Sequence, residues 1–356
     1  MVACYDLSME STDHYDAERF SRQVRYQPLG VAGQTRLADS HVAVVGCGAL
    51  GSVTATALAR AGVGSLTLID RDVPEWSNLP RQLLFTEADI RAGIPKAEVA
   101  ARRLREIDSR LTVTAHVADL TAANIARLLT GVALIVDGTD NFETRFLLND
   151  FACQETIPWI YGGVIGAEGR VMTVLPGVTA CLRCLVPEPP AAGSLPTCDT
   201  AGVIGPAVLV VGGVQAAEAL KLLSGTAGPP ASRLLVCDLW ESVWRTVDLT
   251  PLADAGCDSC RRGDHPWLEG RSGGEPSILC GQDAVQFPPQ AGTAADLASL
   301  ANRLGELTDV VANPWLIRAQ VEQGISLSVF ADGRVIVTGT REPAKAKTII
   351  ARYVGT

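Results

Sequence analysis

Aromatic residues make up only 5% of the 356-residue sequence, and it has just four histidines. With 47% apolar residues, drawn heavily from Ala, Val and Leu, such a composition suits a globular α/β protein. Positive charge is in deficit. A formal net charge of −9 repels a polyphosphate backbone, which argues against nucleic acid as a partner. No run of about 18 uninterrupted apolar residues occurs, so nothing reads as a membrane span. The first sixteen residues lack the basic start and apolar stretch of a signal peptide. A cytoplasmic setting is the expectation, in which the ten cysteines are reduced, metal-bound or catalytic rather than paired in disulfides. No internal repeat of fixed period is found.

What is present is an α/β rhythm. After a tail over residues 1–17, residues 18–38 hold one or two short helices interrupted at Pro28 and Gly30. Strands are expected at residues 41–45, 65–69, 111–116 and 132–136, and again at 157–163 and 169–175. Helices are expected at 49–61, 96–107, 122–129 and 141–154. This alternation predicts a doubly wound, mostly parallel sheet with helices on both faces, occupying residues 18–268. Gly, Ser and Pro then cluster over 269–276, as in a linker. A small α+β unit follows over 277–356: a helix at 296–307, a hairpin turning at Asp332-Gly333, and a closing helix at 343–353.

The sequence Gly46-Cys47-Gly48-Ala49-Leu50-Gly51 stands between a strand and a helix. The first glycine permits a tight turn, the second lets phosphate approach the backbone, and the third lets helix pack on strand. Helix amides then point at an anion. Asp70 ends the next strand, 19 residues after Gly51, where a carboxylate accepts ribose hydroxyls. The motif reads as nucleotide binding without saying which nucleotide. An NAD-dependent oxidoreductase would use the same loop, but hydride transfer usually needs an acid/base, often His. Neither His14 nor His265 has a persuasive setting, and His41 and His116 read as strand residues.

Charges that secondary structure does not require fall at Arg22, Asn78 to Gln82, Lys96 and Asp140. They suit adenylation, in which a carboxylate attacks the α-phosphate of ATP, anion against anion. Arg22, Arg81 and Lys96 are candidates to neutralise phosphates, and Asp140 to hold Mg2+. No general base is needed, because the nucleophile is already ionised. The plainer readings stand beside these: Asp140 as a helix N-cap, Lys96 as a solvated first-turn residue, Arg22 and Arg81 as surface charges.

Residues 19–23, 46–51, 69–72, 77–82, 96–97 and 137–141, in this order, resemble the ThiF/MoeB/HesA family of ubiquitin-activating-type enzymes. The resemblance implies a Rossmann-like fold and ATP-dependent adenylation of the C-terminal Gly-Gly carboxylate of a ubiquitin-like (β-grasp) sulfur-carrier protein. It implies that Asp70 holds the ribose, that Asn78, Arg81 and Lys96 contact phosphates, and that Asp140 binds magnesium. Arg22 would reach into the neighbouring subunit of a homodimer. Pro80 departs from the family, which usually has a polar residue there, and it removes an amide donor. The C-terminal unit is too short for a rhodanese domain and resembles the tail of bacterial ThiF-type enzymes of thiazole synthesis. That favours the thiamine sulfur carrier over the molybdopterin one, with a sulfurtransferase as a further partner. A scaffold that binds a carrier without turnover is the non-enzymatic alternative.

Two C-x-x-C pairs, Cys181/Cys184 and Cys257/Cys260, make a closed thiolate set suited to structural Zn2+; a redox pair is the alternative. The same four are zinc ligands in the family. Cys198 lies in a loop of small residues; the resemblance implies a nucleophile that handles sulfur in some members of the family, and a structural loop residue is the alternative.

Overall fold

Short aliphatic strands build the centre of the molecule. They are β1 (His41–Val45), β2 (Ser65–Ile69), β3 (Thr112–His116), β4 (Leu134–Asp137), β5 (Trp159–Ile165), β6 (Glu168–Val174), β7 (Arg233–Asp238) and β8 (Val243–Asp248). The computed structural model describes residues 18–190, 198–226, 228, 230–253, 255–272, 277–279, 283–287 and 295–355. The expected tail and residues 273–276 of the expected linker lie outside this set. The helices of the first part are α1 (Ser21–Val24), α2 (Gly30–Ala38), α3 (Ala49–Arg60), α4 (Glu87–Ala92), α5 (Lys96–Ile107) and α6 (Ile125–Leu128). They continue with α7 (Phe142–Glu155), α8 (Leu182–Leu185), α9 (Cys198–Ala201), α10 (Gly205–Ser224) and α11 (Thr250–Ala253).

The eight strands form one sheet in the order β3-β2-β1-β4-β5-β6-β7-β8. β3 through β5 pair in parallel, and β6, β7 and β8 extend the edge antiparallel. Because side chains alternate across a strand, β1 feeds two cores. Val42 and Val44 pack with α3, α5 and α10, whereas Ala43 and Val45 pack with α6 and α7. The chain runs outward through β2 and β3, then returns to place β4 on the other side of β1. That reversal opens a crevice beyond the carboxyl ends of β1 and β4.

Helix α10 is the element least visible in the sequence, which suggested only an apolar segment reaching Val211. Its 20 residues are long and apolar enough, by length and composition, to cross a membrane. Here it packs against α2, α3, β4, β5 and β6. Its small residues let it approach closely: a Cβ on Gly212 would meet Val53 at 2.7 Å. Apolar side chains nearly all round blur the 3.6-residue period.

The second sheet is antiparallel, from β9 (Ser277–Leu279), β10 (Ala284–Phe287), β11 (Val310–Ala312), β12 (Leu316–Glu322), β13 (Ile325–Phe330) and β14 (Val335–Thr338). The order is β11-β12-β13-β14-β10-β9. The expected hairpin joins β13 and β14, with Gly333 at φ +88°. Helices α12 (Leu297–Gly305) and α13 (Pro343–Tyr353) cover one face through Leu300, Leu304, Ala346 and Ile349. Elsewhere Ala284, Leu316, Phe330 and Ile336 pack around Val73 of the first part. Polar bonds flank this seam: Arg334 Nη2 to the Arg71 carbonyl (2.6 Å), Gln286 Nε2 to Asp119 (2.6 Å) and Asn313 Nδ2 to the Gly93 carbonyl (2.9 Å).

Gln215 pins α10 to the first sheet. Its buried amide donates to the carbonyls of Asp137 (2.8 Å) and Ile160 (3.4 Å) and accepts from the Thr54 hydroxyl (3.2 Å). Gln215→Leu keeps the volume and removes the donor. Urea denaturation is expected to show a loss of about 1–3 kcal/mol with an unchanged m value.

Candidate functional site

Three glycines shape the floor of the crevice. Gly46 turns at φ +86°, and a Cβ on Gly51 would lie 1.8 Å from the Gly46 carbonyl oxygen. A Cβ on Gly138, just after β4, would come within 2.3 Å of that same oxygen. The loops after β1 and β4 therefore touch backbone to backbone, and Gly48, whose Cβ would meet only Gln82 Nε2 at 3.6 Å, lines the space above. A cavity of about 530 Å³ lies there.

Asp70 braces this floor. One carboxylate oxygen accepts from the Cys47 amide and the other from the Asp72 amide, each at 2.7 Å. Each oxygen keeps a further lone pair for a ligand hydroxyl. Burial pushes the Asp70 pKa up to about 6, against the pull of Lys96 and of its two amide bonds.

The cations have defined partners. Lys96 opens α5 as a buried residue, its Nζ 3.5 Å from Asp72. Burial acts to strip its proton, but the carboxylates of Asp72, Asp70 and Asp140 outweigh it and hold the Lys96 pKa above the ordinary lysine value. Asp72 opens 42% of its side-chain surface onto the cavity. Enclosure raises its pKa, yet Lys96, Arg71 and Arg334 prevail and keep it below the usual carboxylate value. Arg145 is held by Asp137 at 2.9 Å and donates to the carbonyls of Thr139 (2.6 Å) and Gly162 (2.8 Å). Arg81 donates to the Ser77 carbonyl at 2.7 Å, and among the described residues no carboxylate pairs with it.

Of the residues singled out in the sequence, Gly46, Gly48, Asp70, Arg81, Lys96 and Asp140 line the cavity. Gly51 lies beneath the floor. Asn78 does not reach the lining; its side chain accepts from the Glu75 amide at 3.0 Å and closes a short 3-10 turn. Arg22 is exposed on α1, outside the lining. The N-cap reading of Asp140 is overturned, because Asn141 caps α7 by accepting from the Thr144 amide (2.8 Å). Asp140 itself makes no hydrogen bond or ion pair to any described residue, while its charge acts on Arg71, Lys96 and Arg145. The solvated reading of Lys96 fails as well, since the residue is buried. Cys198 begins α9, but its side chain lies outside the described residues. Sequence reasoning missed roles for Arg71, Asp72, Asp119 and Arg145, all lining residues. The one available signal was Arg145 itself, the single arginine in the long helix α7.

The two C-x-x-C pairs meet away from the cavity. The four sulfurs lie within 4.8 Å of one another, with Cys181–Cys257 and Cys181–Cys184 at 3.7 Å and Cys184–Cys260 at 3.5 Å. A zinc tetrahedron with Zn–S of about 2.3 Å has edges of ~3.8 Å, so the donor set and its size fit zinc. Helix α7 holds both loops in place. Asn149 accepts from the Leu182 amide (2.8 Å) and donates to Ser259 (3.2 Å), and buried Asp150 accepts from Ser259 (3.2 Å) and the Trp267 amide (3.0 Å). Elemental analysis is expected to return about one zinc per chain. Cys184→Ser should lose that zinc and melt earlier, because apparent binding free energy at structural zinc sites is folding free energy.

The ThiF family matches this chain over residues 20–259. The sulfur carrier protein ThiS adenylyltransferase of Bacillus subtilis (strain 168) is 43% identical over 338 residues, covering 95% of this chain and 99% of that protein. The SAMP-activating enzyme E1 of Haloferax volcanii is 39% identical over 72% of this chain and 92% of its own length. Among solved structures, E. coli MccB with ATP is alike in fold, with a TM-score of 0.58 over 70% of this chain and 76% of that one at 24% identity. The fold, the glycine loop and this extent of similarity agree: the chain belongs to the ThiF family.

Proposed function

We propose that this chain uses ATP to adenylate the C-terminal carboxylate of a ubiquitin-like sulfur-carrier protein ending in Gly-Gly. The observation that carries the reading is the convergence on one cavity of the glycine loop, Lys96, Arg81 and Asp140, the last unpaired among the described residues. A carboxylate oxygen of the carrier attacks the α-phosphorus, the bond from that phosphorus to the bridging oxygen breaks, and pyrophosphate leaves with the electron pair. Lys96 and Arg81 offset the charge that would keep two anions apart, and the amides opening α3 add their dipole. Asp70 takes the ribose hydroxyls. Asp140 would hold Mg2+, which when bound supplies further charge neutralisation for the pyrophosphate. Asn78 orders the turn that carries Arg81, which supports a role beside the phosphates rather than on them.

The thiamine-type carrier is favoured because similarity to the ThiS adenylyltransferase spans 95% of this chain, including its C-terminal part. Arg22, exposed and outside the lining, suits a residue that completes the partner's site in a homodimer. Cys181, Cys184, Cys257 and Cys260 would hold zinc, which when bound would staple their two loops, and the setting we infer is cytoplasmic.

Exchange of labelled pyrophosphate into ATP, dependent on carrier and Mg2+, tests the reading with thiamine-type and molybdopterin-type carriers side by side. Exchange with the thiamine-type carrier is expected; none with either carrier overturns the proposal. Asp140→Ala and Arg22→Ala should each lower exchange by about 100-fold or more without changing zinc content. Mixing the two variants should restore about one quarter of wild-type activity, the share that random exchange of subunits gives to intact sites. Persistent inactivity after demonstrated exchange would remove Arg22 from the shared site.

The pH dependence of nucleoside binding follows from Asp70. Its pKa of about 6 leaves it protonated at pH 5 and ionised at pH 7, while neighbouring Asp72 and Lys96 stay charged throughout. Adenosine has no phosphate to titrate there. Its affinity by calorimetry is expected to rise about tenfold from pH 5 to pH 7, in step with the ionised fraction. Asp70→Asn should flatten the profile.

A further inference from the structure

The first sheet holds only the outer ends of the two segments that carry Asp72 and Lys96 into the cavity: the Asp70 amide donates to the His116 carbonyl on β3 (3.1 Å), and α5 packs against β2 and β3. Residues 70–75, after β2, have no regular structure. They are tied to the start of α5 by the Lys96 amide, which donates to the Asp72 carbonyl at 2.8 Å. Both segments are gripped from outside by the C-terminal sheet. Arg334 Nη2 donates to the Arg71 carbonyl (2.6 Å), and Asn313 holds the Gly93 carbonyl (2.9 Å) just ahead of Lys96. Gln286 donates to Asp119 (2.6 Å), the carboxylate that also receives Arg71 Nη1 at 3.0 Å. Arg71, Asp72, Lys96 and Asp119 all line the cavity.

Arg334 is a costly way to close a seam. Its side chain is 0% exposed, Nε lies 3.8 Å from the Asp332 carboxylate, and neither Nε nor Nη1 has a hydrogen-bond partner among the described residues. Its guanidinium lies 3.7 Å from the centre of the Phe330 ring, which itself packs with Val73, Leu316 and Ile336. An apolar side chain of similar volume would serve a purely structural seam as well or better. Burial holds the Arg334 pKa below the ordinary arginine value; Asp332 opposes this most, and Asp72 and Asp119, the acidic cavity residues to which the charge is also drawn, add to that opposition. Asp72 now shares its charge with Lys96. When Lys96 turns to a phosphate, Arg71 and Arg334 remain to keep Asp72 in place.

We propose that Arg334 and Gln286 of the C-terminal sheet are positioning residues for the nucleotide cavity, acting through Arg71, Asp72 and Asp119. This rests on the reading of that cavity as an ATP site. The test uses the full-length, zinc-loaded chain and measures ATP affinity by calorimetry without any carrier, alongside thermal melting. Arg334→Met is expected to weaken ATP binding about tenfold, a displaced wall being enough for such a loss, with no fall in melting temperature. Arg334→Lys should recover part of the affinity, and Gln286→Leu should weaken binding by roughly threefold or more. A lower melting temperature with unchanged ATP affinity would make the seam structural only and overturn the proposal. Should Arg334→Met fail to fold, unchanged affinity in both Arg334→Lys and Gln286→Leu overturns it equally. Wild type that binds ATP but exchanges no pyrophosphate sinks the carrier reading and leaves this inference to the affinities. Wild type that binds no ATP sinks both.

Discussion

One ion pair, removed from water, sets the geometry on which the cavity depends. Asp137 ends β4 with its side chain fully buried, and Arg145 comes back to it from the second turn of α7. Their other hydrogen bonds go to neighbours. Thr139 caps the other Asp137 oxygen through amide (2.8 Å) and hydroxyl (2.6 Å), and the Asp137 carbonyl takes the Gln215 amide. Arg145 reaches the Gly162 carbonyl on β5, and its guanidinium lies over the rings of Tyr161 and Phe142. Burial opposes the charge on Arg145, yet Asp137 holds its proton more firmly than usual. Removing one member of such a pair strands the other charge at a cost of about 3–5 kcal/mol. Strands β4 and β5, helices α7 and α10, and the loop that presents Asp140 are therefore positioned together or not at all.

Against that frame the glycine nest is a consequence of close approach. Arg145 and Thr139 fix where the chain leaves β4, so Gly138 must meet the Gly46 carbonyl without a side chain on either. Asp70 then closes the circuit from the other flank by holding the Cys47 amide. Its carboxylate is half structural before any ligand arrives, which is why so buried an acid is tolerated there.

Much of this was legible in the sequence, and the part that was not has a physical reason. Strands β1 and β2 and helices α5 and α13 fall where composition and turn residues put them, because local pattern and tertiary fate agree there. Gly46, Gly48, Asp70, Lys96 and Asp140 line one cavity as expected, the first three placed by the spacing of the glycine loop and the next strand, Lys96 and Asp140 by the pattern of charge and the family resemblance. Asn78 was harder: the same side chain serves a turn or a ligand, and only the 3.0 Å bond to Glu75 shows which function it meets in this structure. Arg145 carries only its place as an arginine in a long helix, and Arg334 and Gln286 carry no local signal. Their partners stand 8, 263 and 167 residues away in the chain, and an isolated charge or amide in an apolar stretch does not announce what it will meet.

The four-cysteine cluster has a consequence in time. Its two halves are 76 residues apart, with α10 and strands β7 and β8 between them. During synthesis at ~5–20 residues per second, the first pair of thiols waits about 4 to 15 s for the second. Through that interval two ligands alone cannot close a tetrahedron. A metal held by all four cysteines would therefore be captured only after the antiparallel edge of the sheet emerges, as a late seal on a nascent chain whose glycine-loop half has already left the ribosome.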